Sequence, residues 1–435
     1  MILGLKYGMS AFVSSLRSRT LATDSADRRN SIGFLRLMFA SAVVVSHSRV
    51  LGFRELDPGE SSTHHQTDLG KLAVFGFFVL SGYLISGSAT RIGLGRYLWH
   101  RFLRIFPGLW VCLLLLAFVM APLVCLHERG SLTGFWVHPG GPFDFVRANW
   151  WTGLRQLAIS DLRVNPIVGI FDGPLWSLAY EMLGYLAIAA LAFSGVLTRA
   201  RRLILVLVVA GWLYMVHYQT LTHSWTGPHP AGVTITLPLL GALGTGNLVY
   251  LGFMFALGTA AQLYKERMST HGALAAAALV VLLVSLRAGG FAVFGLPAFG
   301  YLVLWVAMRL RGPFQAVGRK RDYSYGLYIY AWPVQELLTM LNVPRWGLLV
   351  YTCLSLLGGL ILAALSWHLV ERPALRLKYW TPPDIRAWRA RQASVIDPAS
   401  GDHIPEQKRF EPVLEQRRLA ENPPAGVTPG TGTAG

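Results

Sequence analysis

The stretch from Ser31 to Gly52, SIGFLRLMFASAVVVSHSRVLG, decides the fold. It is apolar almost throughout, and about 20 apolar residues are what an α-helix needs to cross the ~30 Å hydrocarbon core of a bilayer. Arg49 lies near its end, and two ionisable side chains interrupt its interior, Arg36 and His47. At ~100° per residue their spacing brings them within about 20° of the same helix face. Ionisable groups are costly inside a membrane and turn toward a cavity or a partner. The first span therefore carries a face with chemistry on it.

The composition agrees with a membrane protein. With 435 residues, 53% hydrophobic and 14% charged, and a mean hydropathy of +0.44, the chain is too apolar for a soluble globular protein. A net charge of +17 would point to nucleic acid in a soluble chain. Here the basic residues punctuate apolar runs instead of collecting on one face, so the expected partner is membrane lipid and no nucleic acid is expected. Cys112, Cys125 and Cys353 lie in or at the ends of apolar spans without CxxC spacing, which indicates neither a metal site nor a disulfide framework. The first thirty residues are basic but lack an apolar core followed by a small-residue cleavage site, so the first span is expected to act as an uncleaved signal.

Ten spans are predicted, at roughly 31–52, 69–90, 103–126, 174–195, 203–219, 235–264, 271–287, 292–310, 323–342 and 346–370. The fold expected is an all-α polytopic membrane helix bundle, its sixth span broken near Gly244-Thr245-Gly246-Asn247. Basic residues sort to alternate connections. Arg17, Arg19, Arg28 and Arg29 precede the first span, and Arg91, Arg96, Arg101 and Arg104 follow the second. The series continues with Arg199, Arg201 and Arg202, with Lys265 and Arg267, and with Arg309, Arg311, Arg319, Lys320 and Arg321. The opposite connections 50–68, 220–234 and 288–291 hold only Arg54, so the positive-inside rule puts both termini in the cytoplasm. Arg49, Arg287 and Arg345 run against that pattern and are outnumbered. Residues 1–29 are expected to form a basic cytoplasmic segment, 30–372 the transmembrane domain, and 373–435, with its prolines and Gly/Thr ending, a mostly disordered cytoplasmic tail. The connection 127–173 is long enough for an interfacial segment around Phe145–Ile159 that would roof a cavity.

Six stretches, in order, resemble the acyltransferase-3 family of integral membrane acyltransferases. They are Arg29-Asn30-Ser31-Ile32-Gly33-Phe34-Leu35-Arg36 with His47, Phe77-Phe78-Val79-Leu80-Ser81-Gly82-Tyr83-Leu84-Ile85, and Arg101-Phe102-Leu103-Arg104-Ile105-Phe106-Pro107. Pro174-Leu175-Trp176-Ser177-Leu178-Ala179-Tyr180-Glu181, Ser324-Tyr325-Gly326-Leu327-Tyr328 and His368-Leu369-Val370-Glu371-Arg372-Pro373 complete the set. Two positions depart from the family pattern: Ala331 stands where many members carry His, and Met182 where many carry a second acid. The fused extracytoplasmic esterase-like domain of longer members is not expected here. The resemblance implies transfer of an acyl group, often acetyl from cytoplasmic acetyl-CoA, to a hydroxyl of a glycan or glycolipid such as a surface polysaccharide. Acetyl-CoA or another acyl-CoA would be the donor, with no metal. The bacterial inner membrane would be the location, and a glycan-assembly complex a possible partner.

On that reading His47, Glu181 and Arg36 form the catalytic set. His47 would lie ~7 Å and Glu181 ~10 Å from the outer ends of their helices, so the two are expected to meet, with His47 as general base and Glu181 orienting its ring. Arg101 and Arg104, near the cytoplasmic end, suit the phosphates of CoA, although topology anchoring is the plainer reading of the same residues. Ser81 or Tyr325 would stabilise the oxyanion, and Trp176, Ser177 and Trp332 would contact substrate. Belt and sugar-stacking readings of the two tryptophans stay open, as do direct transfer and an acyl-enzyme. Ser81-Gly82 also fits a close helix-packing site, and His368 a helix C-cap. His64, His65, His217, His223 and His229 read as surface or interfacial. A transporter or flippase of a glycan or lipid-linked intermediate is the competing function, and a scaffold subunit the third.

Overall fold

The first span folds where its sequence places it, as α1 (Ile32–Phe53), and stops at Arg54, whose left-handed backbone (φ 56°) turns its N–H back to the carbonyls of Arg49 and Val50. The computed structural model describes residues 19–25, 30–163, 170–227 and 232–379. Expectations for Arg17, Arg28, Arg29, His229 and the tail beyond 379 lie outside the described residues.

Asp68 caps α2 (Leu69–Ala89) by accepting the Lys71 N–H at 2.7 Å and pairs with the Lys71 ammonium at 2.9 Å. α3 (Leu94–Leu115) begins at Leu94 rather than near 103, because the amphipathic, Arg-rich turns before Pro107 are already helical. It continues through a wide turn at Leu116–Met120 into Ala121–Arg129. The expected interfacial segment is reduced to α4 (Pro142–Asn149), after which Trp150 stacks on Trp110 at 5.3 Å and Trp151 tilts on Phe106 at 4.5 Å. α5 (Trp176–Phe193) and α6 (Arg202–Leu221) follow.

The sixth expected span is corrected by the structure. Residues from 234 to 244 form an antiparallel hairpin, β1 (Thr234–Leu237) on β2 (Gly241–Gly244), and α7 starts only at Thr245 and runs to Leu263. Pro238 lacks an N–H, Leu239 and Gly241 both take positive φ, and Thr-Ile-Thr is β-branched, so this apolar run turns instead of winding. The bundle closes with α8 (Gly272–Ala288), α9 (Leu296–Arg309), α10 (Ser324–Met340) and α11 (Leu348–Ser366). The last helix extends through Glu371 and a further turn to Arg376, so the chain beyond 373 is still helical where a tail was expected. Trp99 and His100 of α3 bond the carbonyls of Leu377 and Lys378 there.

Eight helical segments are long and apolar enough to cross a membrane. That is eight among the described residues against the ten expected; α8 is apolar but, like α10, has only 17 residues, a rise of ~25 Å that falls short of the ~30 Å hydrocarbon core. α2 is the most enclosed and packs on α7, α1, α9 and α5. The α2–α7 contact is set by two glycines: a Cβ on Gly82 would lie 2.0 Å from the Phe255 carbonyl oxygen, and one on Gly258 2.0 Å from that of Val79. With lipid on all sides no hydrophobic effect drives helices together, so backbone approach of this kind supplies the packing.

Candidate active site

At the basic end of the bundle four side chains form one ion network. Asp322, just before α10, accepts from Arg36 of α1 and Arg104 of α3, each at 2.7 Å, through one carboxylate oxygen. Its other oxygen takes the Ser324 N–H and hydroxyl at 3.2 and 2.5 Å, capping α10. Burial would raise the Asp322 carboxyl, but the two guanidiniums hold it well below the usual carboxylate range. Arg104 also reaches Glu371 at 3.4 Å and lies over the Tyr325 ring at 5.5 Å. Both of its terminal nitrogens are thus committed to carboxylates. Arg101, one turn earlier, has no carboxylate partner among the described residues: its guanidinium lies near the rings of Tyr97 and Tyr185, and its buried Nε has no partner among them.

Arg36 borders two spaces. One, of about 220 Å³, opens between Asn30, Gly33, Gly318 and Arg319. The other, of about 40 Å³, lies deeper and is lined by Ser81, Ser177, Glu181, Ser324, Tyr325 and Tyr328 with Phe77 and Phe78. That volume has room for about three waters. Glu181 accepts there from Ser81 at 3.3 Å and makes a short contact with the Tyr185 hydroxyl. Ser177 bonds Tyr328 at 2.7 Å, and the Tyr325 hydroxyl is spent on the Ile105 carbonyl at 2.7 Å. Ser81 therefore faces the cavity while its neighbour Gly82 packs helices.

His47 is elsewhere. Eleven residues along α1 from Arg36 is ~16 Å, and its ring meets Trp332 edge-on at 4.9 Å. The ring forms no hydrogen bond among the described residues, and Asp68 is a carboxylate within its electrostatic reach. The expected meeting of His47 with Glu181 is not formed. The loop before α5 dips inward, so Gly173 packs against Trp332 at the level of His47, and Glu181 lies ~12 Å deeper. Counting the depth of Glu181 from the bundle surface missed that offset. Trp332 is buried, donating to Glu336 at 2.7 Å and to the Ile170 carbonyl at 3.3 Å, whereas Trp176 is half-buried against Tyr180.

Ser324, Tyr328, Trp332 and Glu336 recur every fourth residue, so one face of α10 runs from the ion network to His47. Asp322, Glu336 and Asp172 were not anticipated as site residues. The Asp-x-Ser start of α10 and the i, i+4 pair of Trp332 and Glu336 were the available signals. Asp172 lies buried before α5 with its Oδ2 3.6 Å from the Cys112 thiol and its Oδ1 unpartnered, and burial pushes its carboxyl well above the ordinary range. Among the described residues no three His, Cys, Asp or Glu side chains are grouped to hold a metal ion.

A bundle of membrane-crossing helices enclosing buried ionic groups and a polar cavity is the architecture of a polytopic membrane enzyme or transporter. Residues 29–368 match the acyltransferase domain family, and the chain belongs to it. It is similar to nodulation protein 10 of Rhizobium leguminosarum bv. viciae, 26% identical over 377 residues, 81% of this chain and 95% of that one. It is also similar to the O-acetyl transferase of Shigella phage Sf6, 27% identical over 359 residues, 79% of this chain and 96% of that one. No solved structure matches it.

Proposed function

We propose that the protein transfers an acetyl group from acetyl-CoA to a hydroxyl of a glycan or glycolipid in a bacterial inner membrane, with His47 as the general base. The observation that carries this reading is the division of α1 into two ends. Arg36 at one end borders a polar space together with Asn30 and Arg319, while His47 at the other is an imidazole without a hydrogen-bond partner among the described residues. The nucleotide phosphates of the donor bind at the basic end, where Arg101 keeps a free guanidinium. The long thiol arm threads the middle cavity, whose Ser81, Ser177 and Glu181 suit its amide groups. The acceptor hydroxyl loses its proton to His47, its oxygen attacks the thioester carbonyl, the C–S bond breaks, and the proton passes to the leaving thiolate.

The closed cavity is far smaller than such an arm, so donor binding widens it, and Phe77 and Phe78 are the largest of the side chains that line it without polar ties. The family membership and the named O-acetyl transferase relative support the same reading. Purified protein with radiolabelled acetyl-CoA should release free CoA only when a hydroxyl acceptor is present. His47→Ala should abolish that release while leaving membrane insertion and abundance unchanged. Wild-type rates in that variant remove His47 from the mechanism.

A further inference from the structure

A second cavity has no role in that chemistry. Between α5, α6 and α7 runs a groove of about 370 Å³, walled almost wholly by apolar side chains and open sideways where Leu207 and Tyr214 of α6 are exposed. It follows α5 from Tyr180 to Leu191 and α7 from Leu248 to Thr259, ~16 Å along each helix. Its mean section is then on the order of 20 Å², too narrow for another helix of ~10 Å diameter and suited to one extended hydrocarbon chain. Gly211 and Gly252 leave it open: a Cβ on Gly252 would meet nothing within 4 Å, and one on Gly211 only the edge of Phe253 at 3.6 Å.

The groove adjoins the candidate active site across a shared wall. Phe78 walls both spaces, and the adjacent residues Tyr180 and Glu181 of α5 face one each. Its Tyr180–Tyr214 end lies toward the start of α5, where Gly173 packs on Trp332 and Trp332 on His47, and the Tyr180 hydroxyl bonds Gly244 of the hairpin. We infer that this groove holds the hydrocarbon tail of a lipid-linked acceptor, so that the sugar attached to the tail emerges at the His47 end. The inference rests on the acyltransferase reading and narrows its acceptor to one carried on a lipid. A groove filled by bulk phospholipid would need no shared wall with the polar cavity.

The test uses the full-length protein in phospholipid nanodiscs containing a low mole fraction of one of two photoactivatable probes. One is a polyprenyl phosphate with a diazirine in its chain, the other a phosphatidylcholine with a diazirine in its acyl chain. In the wild type the polyprenyl probe should label α5–α7 about tenfold more than the phosphatidylcholine probe. In Gly252→Leu and Gly211→Leu, whose new side chains occupy the groove, that excess should vanish. Retained acetyl-CoA binding shows that these variants are folded. Loss of that binding in both moves the same measurement to Gly252→Ala, which should give an intermediate excess. Equal labelling by the two probes, or an excess that survives in the filled variants, overturns the inference. Either result leaves the acyltransferase reading standing, because acceptor-dependent CoA release judges that separately.

Discussion

Arg101 and Arg104 lie one turn apart on α3 and carry the same charge, yet their surroundings give them different work. Arg104 holds Asp322 and Glu371, so Arg104→Met leaves a buried carboxylate without its cation and should destabilise the protein by about 3–5 kcal/mol. Arg101 lies over two rings and holds no carboxylate among the described residues, so Arg101→Lys should keep the melting temperature and, on the proposed donor site, raise the donor KM, because the planar fork suited to phosphate is lost. An unchanged donor KM would leave Arg101 as a lipid-headgroup anchor. Asp57, between α1 and α2, supplies a pH-dependent element. Burial pushes its carboxyl up to about 6 from an ordinary 3.8, against the 2.5 Å hydrogen bond from Ser46. The folded state therefore binds the extra proton. This contribution to stability is full below pH ~4 and is lost as the pH rises through about 6. Thermal unfolding followed across that window should show the decline in the wild type and a flatter profile in Asp57→Asn. Identical profiles would assign the pH dependence to other groups. None of these distinctions is visible in the sequence, where Arg36 and Asp322 are 286 positions apart and no periodicity connects them.

At the level of elements, the spans were legible because each needs its own ~20 apolar residues, and that requirement is local. The hairpin at 234–244 was not, since hydropathy scores Thr-Ile-Thr-Leu and Gly-Ala-Leu-Gly much as it scores helix. The alternating β-branched residues and Pro238 carried the missing information. The α2–α7 seam makes an element-scale comparison within one helix. Gly258→Val puts a side chain into the Val79 carbonyl and should prevent accumulation of folded protein, while Gly252→Ala, in open space on the same helix, should be tolerated. Equal yields of the two variants in detergent-solubilised membranes would mean that the helices separate more readily than their spacing suggests.

For the whole molecule, the sequence placed the ionisable residues on the right helices but not at the right relative depths, because depth depends on how far in the chain already lies at Gly173, against Trp332, when α5 begins. The proposed mechanism divides the chemistry between two ends of one bundle, and between them lies the cavity of about 40 Å³ beside the Arg36–Asp322 pair. Three waters cannot form a file long enough to relay protons from one face to the other. This cavity by itself therefore offers protons no continuous path across the bundle. On the proposed donor route, a cell that inserts many copies should keep its proton-motive force, since the passage opens only while the donor's own arm fills it.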